Sequence, residues 1–341
     1  MPQRSSENKK RRAVDELGER RIIEILRKRL EMLPSSPIAF GDDVAAVHID
    51  DERVAVLKTD MLVDRTDVPA GMSLRQAARK AVVMNVSDFA AKGVQPTAAL
   101  VSLGLPRRLT ALDVEEIAEG LNMGAREYGA YVVGGDTGEA SDVVMAVMLY
   151  GTALKSRLML RSGAKPGDLA AVTGSFGKPT AGLRLLKEDC QVPKRLREAL
   201  SVSVFMPRAR LPEGLALAAS GAVTSSIDSS DGLAWSLHEL SRINGKGFEI
   251  DHVPVADEAE RFAELCGVDV LELALHGGEE YELVVTVKPD CWSEAEEAVK
   301  SAGGQLLRIG RVTREKQIVL AVDGKRQPIE ARGWEHFKSK A

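Results

Sequence analysis

The stretch SLRQAARKAVVMNVSDFAAKG, residues 73–93, decides how the chain is read. Ser73 is a capping hydroxyl at its start and Gly93 a stop at its end, so the spacing predicts one long helix between them. Along it Ala77, Ala81, Asn85 and Asp88 step down a single face. Small residues there imply close packing. An ionised Asp88 on that face is costly unless a cation or several donors meet it.

Outward from this helix the pattern alternates. VAAVHI (44–49) and VAVLKT (54–59), separated by Asp50, Asp51 and Glu52, read as two strands joined by a tight turn. AALVSLGLP (98–106) reads as a strand, LDVEEIAEGLNMGAREYG (112–129) as a helix, and AYVVGG and VVMAVMLYGT as two more strands. Upstream, Leu17, Ile22, Ile23, Leu26, Leu30 and Leu33 recur at helical spacing before Pro34, predicting an amphipathic helix. Glycines and prolines cluster in RSGAKPGDLAAVTGSFGKP (161–179), where the pattern restarts. We place the domains at 1–155 and 156–341. The second is expected to hold helices near 180–188, 195–201, 208–220 and 231–243, a strand at 281–287 and two further strand-like runs. Both halves mix strands and helices, and no internal repeat is visible.

A length of 341 residues favours two cores over one. Hydrophobic residues are 44% and charged residues 28%, the balance of a globular protein, while aromatics at 4% leave the core to Ala, Val, Leu and Ile. Net charge is −4 with both signs interspersed, which gives no electrostatic case for nucleic acid. Cys190, Cys266 and Cys291 are odd in number, far apart and without CxxC spacing, so a reducing compartment is expected. No apolar run is long enough for a membrane span and the N-terminus is charged, so the expected location is the cytoplasm. SSENKKRR (5–12) is read as a solvated tail.

Acidic residues recur at fixed stations: Asp42 and Asp43 in GDDVAAV, Asp60 in KTD, Asp88, Asp136 in VVGGDTGEASD (132–142), and Asp228 and Asp231 in SSIDSSDGLAWSLHEL. Each alone is most simply a cap. Several converging is another matter, because two carboxylates about 4 Å apart repel by roughly 4 kcal/mol at an effective dielectric near 20. Oxygen ligands without a His or Cys cluster point to Mg²⁺ or Ca²⁺, and Mg²⁺ favours few carboxylates plus phosphate oxygens, so a nucleotide is the natural guest. Glycines beside Asp136 would let the backbone approach a phosphate. GSFGKPT (174–180) fails the Walker A spacing, and GxGxxG, HRD and DFG signatures are missing. His48, His238 and VVMAVML are read as structural. Arg161 could be a loop arginine and Trp334 a tail anchor.

GDDVAAV, KTDMLV, NVSDFAAKGVQPTAALVSLGLP, VVGGDTGE, RSGAKPGDLAAVTG, IDSSDGLAWSLHEL, GGEEYELV and the closing GWEHF occur in an order and spacing that resembles the thiamine-monophosphate kinases. The match runs from about residue 38 to 337. These enzymes share an ATP-binding superfamily with aminoimidazole ribonucleotide (AIR) synthetase, selenophosphate synthetase and the hydrogenase-maturation protein HypE. The resemblance implies a two-domain AIR synthetase-like α/β (α+β) fold: an N-terminal domain pairing across a homodimer, an α/β C-terminal domain, and ATP held between them by several Mg²⁺. Carried over by position, Asp43, Thr59, Asp60, Asp88, Asp136, Asp228 and Asp231 take metal roles. Arg161, Ser230, Gly135, Asp136 and Tyr128 fall to ATP, and Asp67, Glu279, Glu280 and Trp334 to the substrate. Asp231, Asp88 and Arg161 are the catalytic candidates. The implied reaction moves the γ-phosphoryl of ATP onto thiamine monophosphate, giving thiamine diphosphate and ADP. This chain departs from the family where DRTDVP puts Asp67 in place of a usual histidine, where GEEYEL replaces GEDYEL and where GGDTGE replaces GGDTT. AIR synthetase fits the ordered set less well, selenophosphate synthetase wants a cysteine ahead of Cys190, and HypE wants a C-terminal one. A non-catalytic nucleotide-binding module would have little use for so many mutually repelling carboxylates.

Overall fold

The computed structural model describes residues 13–188, 190–322, 324–335 and 337. The basic SSENKKRR tail lies outside the described residues. The first half runs α1 (Val14–Leu17), α2 (Glu19–Arg27), β1 (Ala45–His48), β2 (Arg53–Val63), α3 (Asp64–Asp67), α4 (Leu74–Lys92), β3 (Pro96–Leu105), α5 (Ala111–Glu127), β4 (Tyr131–Glu139) and β5 (Val144–Leu154). The second runs β6 (Leu169–Val172), α6 (Lys178–Lys187), α7 (Lys194–Phe205), α8 (Leu211–Ser220), β7 (Val223–Ser229), α9 (Leu233–Asn244) and β8 (Gly247–Ile250). It continues through α10 (Asp257–Cys266), α11 (Val270–His276), β9 (Glu282–Val287), α12 (Trp292–Ser301), β10 (Leu307–Thr313), β11 (Ile318–Val322) and β12 (Lys325–Pro328).

The strands form a five-stranded sheet in the order β1-β2-β5-β3-β4 and a seven-stranded sheet in the order β12-β11-β8-β10-β6-β9-β7. Among the described residues no strand crosses from one sheet to the other, and the chain passes between them after β5. The two halves nevertheless share a core through α4. One side of α4 packs on β2 and β5, another on β7 and β9, and α5 and α8 flank it. Its ends follow from sequence. Ser73 and Gln76 form a reciprocal capping box, and Gly93 closes the helix in the left-handed region at φ 66°. Small residues let the neighbours in: a Cβ on Gly120 of α5 would stand 2.1 Å from the Arg75 carbonyl oxygen. Because α4 is enclosed, its charged residues carry partners inward. Arg79 donates from Nε and Nη2 to Glu127, each at 2.8 Å, and from Nη1 to the Pro207 carbonyl.

Several expectations need correction. The N-terminal periodicity does not make one buried-face helix: Gly18, at φ 72°, splits it, α2 ends at Arg27, and Ile23, Leu26, Leu30 and Leu33 are exposed. β2 runs on to Val63, so Thr59 and Asp60 lie within a strand rather than near its end. β4 runs past the expected end at Gly135 through Asp136 to Glu139 as an exposed edge strand, so GGDTGE is strand throughout. Apolar runs too short to separate from loops hid β6, β7 and β8, and α10, α11 and α12 further along the chain were missed as well. The cysteine reading also changes. Cys190 and Cys266 are 76 residues apart yet joined as a disulfide, because α6, α7 and α10 meet in a small core of Leu185, Leu200, Ala259 and Phe262 beneath them. Cys291 is free. Among the described residues no helix is long and apolar enough to cross a membrane.

Candidate active site

Three elements from different parts of the chain bring carboxylates together where the sheets meet. Asp43 comes from the loop before β1, Asp88 from α4 and Asp228 from β7. All three are buried, with one oxygen of each within 4.8 Å of the others. Ser87 Oγ donates to Asp228 Oδ2 at 2.8 Å and so ties α4 to β7. Asp60 joins from β2, on the side facing α4, and its N–H is received by Asn85 Oδ1 at 2.9 Å.

The cluster is interleaved with cations, Arg161 expected from the sequence and Lys58 and Lys92 not. Lys92 Nζ lies 2.7 Å from Asp42 Oδ1 and 2.7 Å from Asp43 Oδ2, and donates to the Ser226 carbonyl at 2.8 Å. The contact with Asp43 Oδ2 is an ion pair set off the line of a hydrogen bond. Arg161 donates from Nε to Asp43 Oδ1 at 2.7 Å and from Nη1 to the Gly41 carbonyl, and its Nη2 closes on the same Asp43 oxygen. Lys58 Nζ stands 3.0 Å from Asp88 Oδ2 and 3.2 Å from Asp60 Oδ1. Lys58 and Lys92 were legible only in hindsight, as the residues two before Asp60 on one strand face and four after Asp88 on one helix face.

These contacts split the acids. Burial opposes the charge on Asp43, but Lys92 and Arg161 outweigh it and hold the carboxyl below its ordinary range. Burial pushes Asp88 well above that range, Lys58 opposing and Asp228, Asp60 and Asp43 adding like charge. Asp228 is pushed up to about 6 by burial and Asp43. Asp231 reaches about 7 through burial, Asp228 and Glu19, with Arg20 opposing. A set of acids that raise one another in this way lacks positive charge. The deficit and the all-oxygen donors fit a hard divalent cation.

Asp231 sits just before α9 and Ser230 beside it. The Ser230 carbonyl accepts from the Glu279 N–H at 2.7 Å, and the Asp231 carbonyl accepts from the Trp334 N–H at 3.1 Å. The C-terminal segment is thereby docked against this corner, with the Trp334 side chain half exposed. Glu279 and Tyr281 adopt φ of 66° and 55°, a region non-glycine residues seldom enter. Such backbone marks a turn held open by its surroundings. Lys80, almost wholly buried on α4, links Glu279 Oε1 at 2.5 Å to the Asp67 carbonyl at 3.1 Å. Asp67 and Glu279 thus stand on either side of one ammonium, although Asp67 Oδ2 is engaged by the Val63 N–H at 2.8 Å. Glu280 turns the other way, accepting from the Gly177 N–H at 2.6 Å, and burial pushes it well up.

Four expected residues lie elsewhere. Tyr128 is buried at the end of α5 with its hydroxyl accepting from the Ala209 N–H at 2.9 Å, a contact that joins the two halves rather than one facing a nucleotide. Thr59 alternates to the opposite face of β2 from Asp60. Gly135 and Asp136 lie on β4, paired with Val101 and Ser102 of β3, and β4 is three strands from β2, about 14 Å at the usual strand spacing. Within one chain neither Gly135 nor Asp136 joins the cluster.

Comparisons with known proteins agree with this architecture. Residues 41–153 match the AIR synthase related protein N-terminal domain and residues 165–323 its C-terminal domain. The chain is 37% identical to the thiamine-monophosphate kinase of Pyrococcus horikoshii, over 92% of this chain and 96% of that protein. It is 35% identical to the thiamine-monophosphate kinase of Nitrosopumilus maritimus, over 95% of this chain and 100% of that one. Among solved structures, AaThiL complexed with AMPPCP and TMP superposes with a TM-score of 0.82 at 30% identity, covering 96% of this chain and 99% of that one.

Proposed function

The chain belongs to the thiamine-monophosphate kinase family, and from that premise we propose that it transfers the γ-phosphoryl group of ATP to the phosphate of thiamine monophosphate. The bond from the γ-phosphorus to the bridging oxygen breaks, a phosphate oxygen of the acceptor forms the new bond, and thiamine diphosphate and ADP leave. The observation that carries the reading to this site is the meeting of Asp43, Asp88 and Asp228 from three separate elements.

The acceptor is already an anion, so no base has to create a nucleophile. What the reaction demands is the approach of two polyanions in line, which is a matter of charge and positioning. Mg²⁺, held by Asp43, Asp60, Asp88, Asp228 and Asp231, would supply positive charge to the phosphates. Arg161 lies at the edge of the cluster with a guanidinium that can turn from Asp43 to a phosphate oxygen. Ser230 lies two residues after Asp228 of the cluster and is taken for the phosphates on the family pattern. On the substrate side Asp67, Lys80 and Glu279 form one linked group, and Trp334 next to Asp231 offers a ring for stacking. Metal and nucleotide roles for Thr59, Gly135 and Asp136 require a second subunit or a rearranged strand. A homodimer is supported by the open face of the five-stranded sheet, where Val47, Met61, Leu100, Tyr131 and Tyr150 are exposed together.

The test is to incubate the protein with ATP and Mg²⁺ and, in parallel, thiamine monophosphate, free thiamine or formylglycinamidine ribonucleotide, and to identify products by chromatography. Thiamine diphosphate formed one for one with ADP, and only from the monophosphate, supports the reading. ADP formed only with the ribonucleotide overturns it.

A further inference from the structure

Lys58 and Lys92 both lie among the acids, but they are held differently. Lys92 is wholly enclosed and fixed by Asp42, Asp43 and the Ser226 carbonyl. Lys58 is partly open, with 19% of its side chain exposed, and among the described residues its ammonium meets only Asp60 and Asp88. Those two carboxylates belong to β2 and α4, and the ammonium at 3.2 and 3.0 Å lies between them. An ion bridging the same pair would sit in the same space, at ~2.1 Å from each oxygen for Mg²⁺. A single positive charge on a flexible stem and a divalent ion cannot both bridge them. At about 4 Å, even with an effective dielectric near 20, each pair of unit charges repels by roughly 4 kcal/mol.

We propose that Lys58 is a built-in competitor for one metal position, bridging Asp60 and Asp88 in the metal-free protein and weakening the ion that must displace it. This inference rests on the metal reading given above. It assigns Lys58 a positioning role: the ammonium offsets part of the charge of the two carboxylates and holds them in place until an ion arrives, then withdraws along its four-carbon stem. Lys92 has no such freedom and stays as a fixed counter-charge.

The experiment counts Mn²⁺ bound per chain by electron paramagnetic resonance, without nucleotide, in the wild-type protein, Lys58→Gln and Lys58→Arg. Lys58→Gln is expected to bind one ion more than the wild type at matched free Mn²⁺, or to tighten one position by about tenfold or more. Lys58→Arg, which keeps the charge, is expected to bind no more than the wild type. Thermal unfolding supplies a second readout: Lys58→Gln loses stability in EDTA and regains more than the wild type does when Mn²⁺ is added. Should Lys58→Gln fold only with metal, it is purified in Mn²⁺ and the tightly retained ions are counted, with one more than in the wild type expected. Equal number and affinity in the wild type and Lys58→Gln leaves the metal reading standing and overturns this inference. Binding of no Mn²⁺ by any of the three overturns both.

Discussion

Lys92 and Asp43 form an ion pair 2.7 Å long in which both side chains are shut off from water. The pair fastens the loop ahead of β1 to the end of α4, and Lys92 reaches on to the Ser226 carbonyl of β7. Removing one partner strands a buried charge, which typically costs about 3–5 kcal/mol. Lys92→Met is therefore expected to lower the urea midpoint by a corresponding amount with the slope unchanged. A midpoint within error of the wild type would show that the pair is not what holds the loop ahead of β1 to α4.

The carboxyls of Asp228, at about 6, and Asp231, at about 7, keep protons that an unfolded aspartate at 3.8 has lost. Between those values the folded, metal-free protein binds more protons than the unfolded chain. The stability they contribute is full below pH ~4 and is lost as pH rises through 6 and 7, on the order of a few kcal/mol. Asp43, held low, acts in the opposite sense but only in the acid range beneath that window. In EDTA the melting temperature is expected to fall from pH 5 to pH 8. Mg²⁺ should reverse the trend, binding more tightly at pH 8 and releasing protons, which calorimetry in buffers of different ionisation heat detects.

Asp88 is crowded by Asp228, Asp60 and Asp43. Asp88→Asn relieves that crowding, so in EDTA the variant should melt no lower than the wild type. If Asp88 holds metal as proposed, the change should still cost several kcal/mol of transition-state stabilisation, about a thousandfold or more in kcat. Asp231→Asn is expected to behave in the same way. Near-normal turnover in both would sink their assignment as ligands, and a collapsed melting temperature would mean that they are structural.

How far the sequence could be read depended on the kind of signal each residue carries. Ser73 and Gly93 act on their own backbone, so both ends of α4 were legible. The acids of the cluster were legible too, because carboxylates beside glycine and serine are noticed by type. Lys58, Lys80 and Lys92 were not, since a lysine bears no mark of burial until its partner is placed, and those partners come from other elements. AYVVGG reads as a strand, but nothing in GGDTGE shows that the strand continues to Glu139, with Gly135 serving a close approach at the sheet edge. Cys190 and Cys266 were separated by 76 residues of helices whose packing no local pattern reports.

That close approach can be tested. A Cβ on Gly135 would stand 1.9 Å from the Val101 carbonyl oxygen, whereas one on Gly134 meets only the tip of Leu100 at 3.3 Å. Gly135→Ala is expected to destabilise by about 1–3 kcal/mol and Gly134→Ala by about 0.5 or less. If Gly135 serves a phosphate instead, its alanine variant would keep its urea midpoint and raise KM for ATP alone.

The open face of the five-stranded sheet gives the last expectation. Helices α4 and α5 cover one side of that sheet, and the other presents Met61 and Tyr131, each more than half exposed, in line with Leu100 and Tyr150. A contiguous apolar patch on a sheet face marks a surface for interaction. A second copy meeting the first face to face would cover it, and the exposed edge at β4 would then be near the other subunit, where Asp136 could act. Met61→Asp and Tyr131→Asp each place a charge on that surface. Light scattering is expected to show a dimer for the wild type and a monomer for the double variant, with transfer lost in step with the dimer. A monomeric wild type that is fully active would remove the second subunit from the site and leave Asp136 without a role in it.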